Sequence, residues 1–315
     1  MSVPEWLDEG ARFDAEYHQG LSNHLPMAML ALQRLGVSGA RIDTFATRYV
    51  RRLESSPNII SWPSGEHWRI MLGIRSSWPA YRTLSRELIG RDGADVVLAQ
   101  VLPELMAGCG AAAFHGIIRT AYAIHSKHEQ ELADGLAYWA CRHLPLGDGG
   151  GDGTVDDPTV VLHRMSTTSI DRNLIVESMC DAVQEPDFDQ LIKLLKVDDS
   201  TLSRLSRLAA MLYSSSGNFT VLHLITSCHA IRVLLPLLDN PLPVMHAYWR
   251  AYVAGFMASD LYLEKTTTLQ PWDQIIDIAI ASDDEHVIKL VDSCREEVRA
   301  YGGDDRRHAA SRAVA

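Results

Sequence analysis

The chain has 315 residues, of which 47% are hydrophobic, and a formal charge of −11 with histidine neutral. This is enough apolar material for a substantial core in one domain or two, and the acidic balance argues against nucleic acid, whose binders carry a basic patch. No unbroken run of about 18 apolar residues appears, so no membrane span is expected, and the acidic start MSVPEWLDEGARFDAEY has no apolar signal core, which points to the cytosol.

In chain order, the periodicity is overwhelmingly helical. Leu25–Leu35 is apolar all round and reads as a buried helix, with Ser22 or Asn23 as cap, Pro26 in the first turn and Gly36 closing it. His24 then stands at the helix start. Arg41–Leu53 is amphipathic, 57–65 is a loop, and Trp68–Ile74 and Tyr81–Ile89 are short helices on either side of Pro79. Ala94–Met106 follows, with Pro103 kinking it or opening a new turn.

Gly108–Ile124, GCGAAAFHGIIRTAYAI, has no break signal after Gly110 and reads as one helix. Its small residues admit a close neighbour. At helical spacing His115, Ile118, Arg119 and Tyr122 share a face. A guanidinium in such a helix must meet an anion, a carbonyl or a cavity. The helix is therefore either a packed centre with an internal ion pair or the wall of a polar pocket.

Gln130–His143 is amphipathic. Leu146–Pro158, LGDGGGDGTVDDP, reads as a flexible surface loop, a lid or a tether. Thr159–Met165 is β-branched enough for a strand, although its length does not decide it. Asp171–Ala182, Phe188–Leu195 and Ser200–Tyr213 are helical, and Phe219–Leu238 is long and apolar with His223, His229 and Arg232. Met245–Met257 is rich in aromatics, Ile275–Ile280 and Glu285–Ala300 close the fold, and 301–315 is expected to be a loose tail. The class is mainly α, a single large helical domain over 1–300.

Some motifs do not hold. Gly108-x-Gly110-x-x-Ala113 lacks the preceding strand that a dinucleotide fingerprint needs, so neither a flavin nor a nicotinamide site is expected. His125 and His128 sit in a solvated helix end. Cys109, Cys141, Cys180, Cys228 and Cys294 are odd in number with no C-x-x-C, which fits reduced, packed thiols.

His24, His115, His223 and His286 are different, because each lies at or within a helical stretch where a polar group needs a reason. Facing helices build non-haem metal centres in this way, and imidazole suits iron, zinc or copper. The competing account is four independent core histidines, each bonded to a carbonyl or hydroxyl.

The segments FDAEYHQGLSNHLPMAMLALQRLG (13–36), AGCGAAAFHGIIRTAYAI (107–124), FTVLHLITSCHAIRVLLPLL (219–238) and DDEHVIKLVDSCREE (283–297), with the W-x-x-x-L-G of Trp68–Gly73, resemble the questin oxidase-like family in order and spacing. The resemblance implies a helical oxygenase in natural-product biosynthesis, acting on anthraquinones and related fused aromatic polyketides by ring opening, C–C cleavage or Baeyer–Villiger-type insertion. It implies either a cofactor-independent enzyme or a non-haem Fe(II) enzyme with histidines and a carboxylated lysine as ligands. Carried over, His24, His115, His223 and His286 are the histidines, and Lys289, three residues after His286, is the lysine. Where fungal members carry N-H-x-x-H-H, this chain has Met27 and Ala28 at the last two positions, which puts the metal in question.

Two mechanisms stand. With iron, the histidines hold the metal and dioxygen binds in an open position. Without it, a deprotonated substrate reduces dioxygen, a histidine or Lys289 acts as base, and Arg119, Tyr122 and Asn23 stabilise the oxyanion. His115 with Arg119 is the expected working face. Trp249, the tyrosines beside it, and Trp62, Trp68, Trp78, Trp139 and Trp272 are candidates for a flat substrate pocket or, singly, for core. The partners expected are a fused aromatic and O2. The rivals are a helical carrier of an aromatic product and an NADPH-requiring monooxygenase.

Overall fold

The computed structural model describes residues 1–57, 65–147, 150–151, 153–165, 172–262 and 268–315. Trp62, most of the loop expected at 57–65, and the first residue of the helix expected at 171–182 lie outside the described residues. Among the described residues the fold is mainly α, with one small antiparallel hairpin, Glu16–Tyr17 (β1) against Leu21–Ser22 (β2). The helices gather into two compact units, Met1–Leu144 and Pro145–Ala315. The boundary falls at the start of the Gly/Asp stretch.

The first unit holds α1 (Val3–Gly10), α2 (Leu25–Arg34), α3 (Gly39–Tyr49), α4 (Trp78–Asp92), α5 (Ala94–Leu105), α6 (His115–Ser126) and α7 (Glu129–Cys141). Residues Leu25 to Leu32 of α2 are all buried, as an all-round apolar helix requires. Helix α7 packs on α4 and α6. A Cβ added at Gly116 would sit 3.0 Å from Trp139, and one at Gly135 would sit 3.1 Å from Thr120. The small residues are therefore what lets α6 and α7 cross closely.

The segment Gly108–Ile124 is not one helix. A 3-10 turn, Met106–Gly108, leads into a loop in which Ala112, Ala113 and Phe114 have φ of 48°, 52° and 70°. Helix α6 begins only at His115. The cause is tertiary. Gly108 is pinned at the end of α7, where its carbonyl accepts the Trp139 indole N–H at 3.0 Å and a side chain would run into the His143 ring. The chain must reverse from that fixed point, and the left-handed run makes the turn against alanine's own preference.

The second unit holds α8 (Pro158–Leu162), α9 (Ile175–Ala182), α10 (Phe188–Ile192), α11 (Thr201–Ser216), α12 (Phe219–Leu234), α13 (Pro241–Met257), α14 (Trp272–Ala281), α15 (Glu285–Tyr301) and α16 (Asp305–Ala313). Helix α12 packs on α11, α13 and α15. With the 3-10 turn that follows it, α12 is long and apolar enough to cross a membrane, but its most apolar stretch is 72% buried, so it is a core helix.

The strand considered at 159–165 is helix α8 instead. Pro158 opens it and the Asp157 side chain accepts the Thr159 N–H at 2.9 Å, which outweighs β-branching. The tail expected to be loose is helix α16, packed on α11 and α15. Arg306, 4% exposed, fastens it by donating to Ser206 Oγ at 3.0 Å and to the carbonyls of Gly302 and Ser203 at 3.1 Å each. Ser206 in turn donates to the buried Glu297 at 2.7 Å.

Candidate functional site

In the first unit, the β1–β2 hairpin delivers His24 to the start of α2. Glu16 anchors it, accepting from Arg142 at 2.7 and 2.5 Å, from Arg75 at 2.7 Å and from Tyr138 at 3.1 Å. Burial would raise the Glu16 pKa, but Arg142 and Arg75 outweigh it and hold the carboxylate below its ordinary range. Asn23 is absorbed by the turn, with Oδ1 accepting the Leu25 N–H at 3.0 Å and Nδ2 donating to the Asp14 carbonyl at 3.0 Å. The His24 N–H goes to the Tyr49 hydroxyl at 3.0 Å.

The His24 and His115 rings lie 4.6 Å apart between centroids, tilted by 31°, and both residues are buried. His115 Nδ1 is 2.6 Å from the Ala112 carbonyl. A carbonyl has no proton to give, so Nδ1 carries the hydrogen and the ring lone pair is on Nε2. The left-handed turn brings that carbonyl back under the ring.

Arg119, one turn after His115 on α6, is turned to carboxylates. It makes a bidentate pair with Glu131, 2.6 and 2.9 Å, with Asp134 at 3.8 Å and the Trp78 ring beneath it at 5.7 Å. Burial would lower its pKa, but Glu131 and Asp134 reverse this and keep it charged. The internal ion pair is thus the correct one of the two readings of Arg119, and its donors are engaged on carboxylates. Tyr122 is buried, with the Arg34 guanidinium 6.0 Å from its ring. His128 is a helix cap, accepting the Glu131 N–H at 3.1 Å.

In the second unit α12 and α15 bring His223 and His286 together, with ring centroids 5.9 Å apart. His223 is 1% exposed and its Nδ1 donates to the Phe219 carbonyl at 2.9 Å. His286 Nδ1 lies 3.2 Å from Asp284 Oδ1, and the same oxygen accepts the His286 backbone N–H at 2.8 Å. These bonds drop the Asp284 pKa to about 2, so the carboxylate accepts and the His286 lone pair is also on Nε2. A Glu285 oxygen lies within 4.8 Å of a His286 ring nitrogen.

Lys289 is fully buried, one turn after Glu285 and His286 on α15. Burial lowers its pKa to about 8, against the pull of Glu285 and Asp284. Burial, with His286 and Lys289 nearby, lowers His223 to about 3. Burial also lowers His286. Both imidazoles are therefore neutral near pH 7, the form that ligates metal or accepts a proton.

The aromatic residues mostly build core. Trp249 is fully buried, bonds the Ile192 carbonyl at 2.9 Å and stacks on Tyr252 at 6.1 Å. Trp78 and Trp139 are also fully buried, while Trp68 and Trp272 are half-buried. Two residues at the second-unit site escaped the sequence reading. Glu285 looks like an ordinary acidic first-turn residue, and Phe219 looks like one more apolar residue of its helix. A histidine four residues after Phe219 was the available signal, since i to i+4 places them on one face.

The family model described as questin oxidase-like matches residues 21–294 of the chain. No curated protein matches it.

Proposed function

This protein belongs to the questin oxidase-like family, and on that footing we propose that it is an oxygenase that uses O2 to open or insert oxygen into an anthraquinone or related fused aromatic. The observation that carries the reading is the treatment of the candidate histidines. His115, His223 and His286 each tie Nδ1 to an oxygen acceptor, which leaves the lone pair on Nε2. Metal-binding histidines are oriented in this way, the outer hydrogen bond fixing both tautomer and ring direction.

The donor set fits a divalent borderline metal such as iron. In the second unit His223, His286, Glu285 and Lys289 would hold it, and the His24–His115 pair offers the same ligand type in the first. Iron(II) bound there would supply dioxygen binding and the electronic route around its spin barrier. The chain's own contribution is to hold His223 and His286 neutral and to bring Lys289 closer to its neutral form. With a pKa of about 8, roughly one Lys289 in ten is neutral at pH 7, against far fewer for an exposed lysine. A neutral amine is what carboxylation requires.

A metal-free reading is supported by the same lysine and by the absence of histidine at Met27 and Ala28. In it Lys289 takes the proton of a phenol or hydroquinone, and the resulting anion reduces O2 directly. The cytosolic setting, and an aromatic small molecule and O2 as partners, belong to the same proposal.

Elemental analysis of protein purified without a histidine tag or chelator separates the mechanisms. Near-stoichiometric iron, lost in His223→Ala and His286→Ala, supports the iron centre. Metal-free protein that consumes O2 with a reduced anthraquinone supports the base mechanism. No O2 uptake with or without added Fe(II), across a panel of reduced anthraquinones, overturns the oxygenase reading in favour of a carrier.

A further inference from the structure

Phe219 opens α12, a helix buried along most of its length, yet 54% of Phe219 itself is exposed. Its surroundings hold it firmly. The side chain of Asn218 accepts the N–H groups of Thr220 and Val221 at 2.9 and 3.1 Å, and its amide donates to the Ser259 carbonyl, so the first turn is fixed. The Phe219 carbonyl accepts the hydrogen bond of the His223 Nδ1–H. The ring meets His223 at 5.0 Å and His286 at 4.7 Å, both T-shaped, at 74° and 64°. One residue thus fixes the tautomer of one imidazole, contacts both rings, and keeps about half of its own surface exposed beside them.

We propose that Phe219 is a specificity-determining residue whose open surface receives a flat aromatic ring and holds it beside His223 and His286. Two aromatic rings gain from offset stacking beyond the area they bury, and an electron-poor ring such as a quinone suits the negative face of a phenyl group. Covering that face also removes exposed apolar surface from water. The proposal takes the substrate class from the oxygenase reading, but ring binding does not require turnover.

The test is equilibrium binding of anthraquinone-2-sulfonate to metal-free protein, followed by tryptophan fluorescence, with turnover assayed separately. Phe219→Leu keeps an apolar side chain and removes the π face. It is expected to weaken binding by about threefold to tenfold, the range that a lost aromatic pair gives, while far-UV circular dichroism stays unchanged. Phe219→Trp keeps a ring, enlarges it and is expected to bind at least as tightly as the parent, so the test survives if the leucine variant does not fold. Equal binding by Phe219→Leu, weaker binding by Phe219→Trp, or no binding by the parent overturns the proposal. Weakened binding by Phe219→Leu in a protein that never consumes O2 supports the aromatic site and removes the oxygenase reading alone.

Discussion

Arg119 and Glu131 face each other across α6 and α7 through two parallel hydrogen bonds, with 4% of each side chain exposed. Removing one partner leaves a charge in the core without its principal counter-ion. Glu131→Ala is expected to cost about 3–5 kcal/mol of unfolding free energy. The double variant R119M/E131L, apolar on both sides, should recover most of that loss. It should also keep the proposed activity, because the pair is architecture. Denaturant titration checks the first two outcomes, and O2 uptake checks the third.

Lys289 has the opposite character. Lowering a lysine pKa from 10.5 to about 8 by burial means that the charged form weakens the fold near neutral pH by on the order of 3 kcal/mol. Lys289→Met should therefore raise the denaturation midpoint at pH 7 while abolishing iron retention or turnover. A methionine variant that is both less stable and fully active would contradict the assignment.

His223 makes stability depend on acid. Its folded pKa of about 3 lies below the ordinary 6.5, so between those values the unfolded chain binds a proton that the folded chain refuses. Stability is then fully present above pH 6.5 and falls as the pH drops toward 3. Unfolding curves of metal-free protein at pH 7.5, 5.5 and 4.5 should show this decline, and His223→Phe should flatten it. A parent and variant with the same slope would show that another group titrates.

The turn before His115 stores backbone strain in three successive non-glycine residues at positive φ. Ala112→Gly relieves one of them and loses only a partly exposed methyl group. It is expected to stabilise the protein by about 0.5–1 kcal/mol, seen as a rise in Tm. If stability falls instead, the conformation carries no penalty at that position.

The helices were legible from their apolar residues, which run all round α2 and α12 and follow helical spacing along one face of α15. His223 and His286 stood out by their placement in apolar helices, and the fold brings their rings to 5.9 Å of one another. Arg119 was legible only as a pair of alternatives, since its partner Glu131 sits on the next helix and nothing local ties the two. The turn at 112–114 was hidden because Ala-Ala-Phe carries no turn signal, and its cause, Gly108 pinned by Trp139 and His143, lies some thirty residues ahead. Lys289 looked as much like a surface lysine as a functional one. Its burial comes from the helices packed around α15, which no window along the sequence contains.

The wiring of α16 sets a condition on how the protein is made. Ser206 meets Arg306 across 100 residues of chain, and the same hydroxyl reaches Glu297. While a ribosome still covers α16, α11 lacks its cationic clasp and the helix bearing His286 and Lys289 is uncovered along one side. The second unit must therefore finish folding after these residues emerge. Translation that stalls near Gly302 would yield a nascent chain containing every candidate ligand but lacking the segment that clasps α11 to α15.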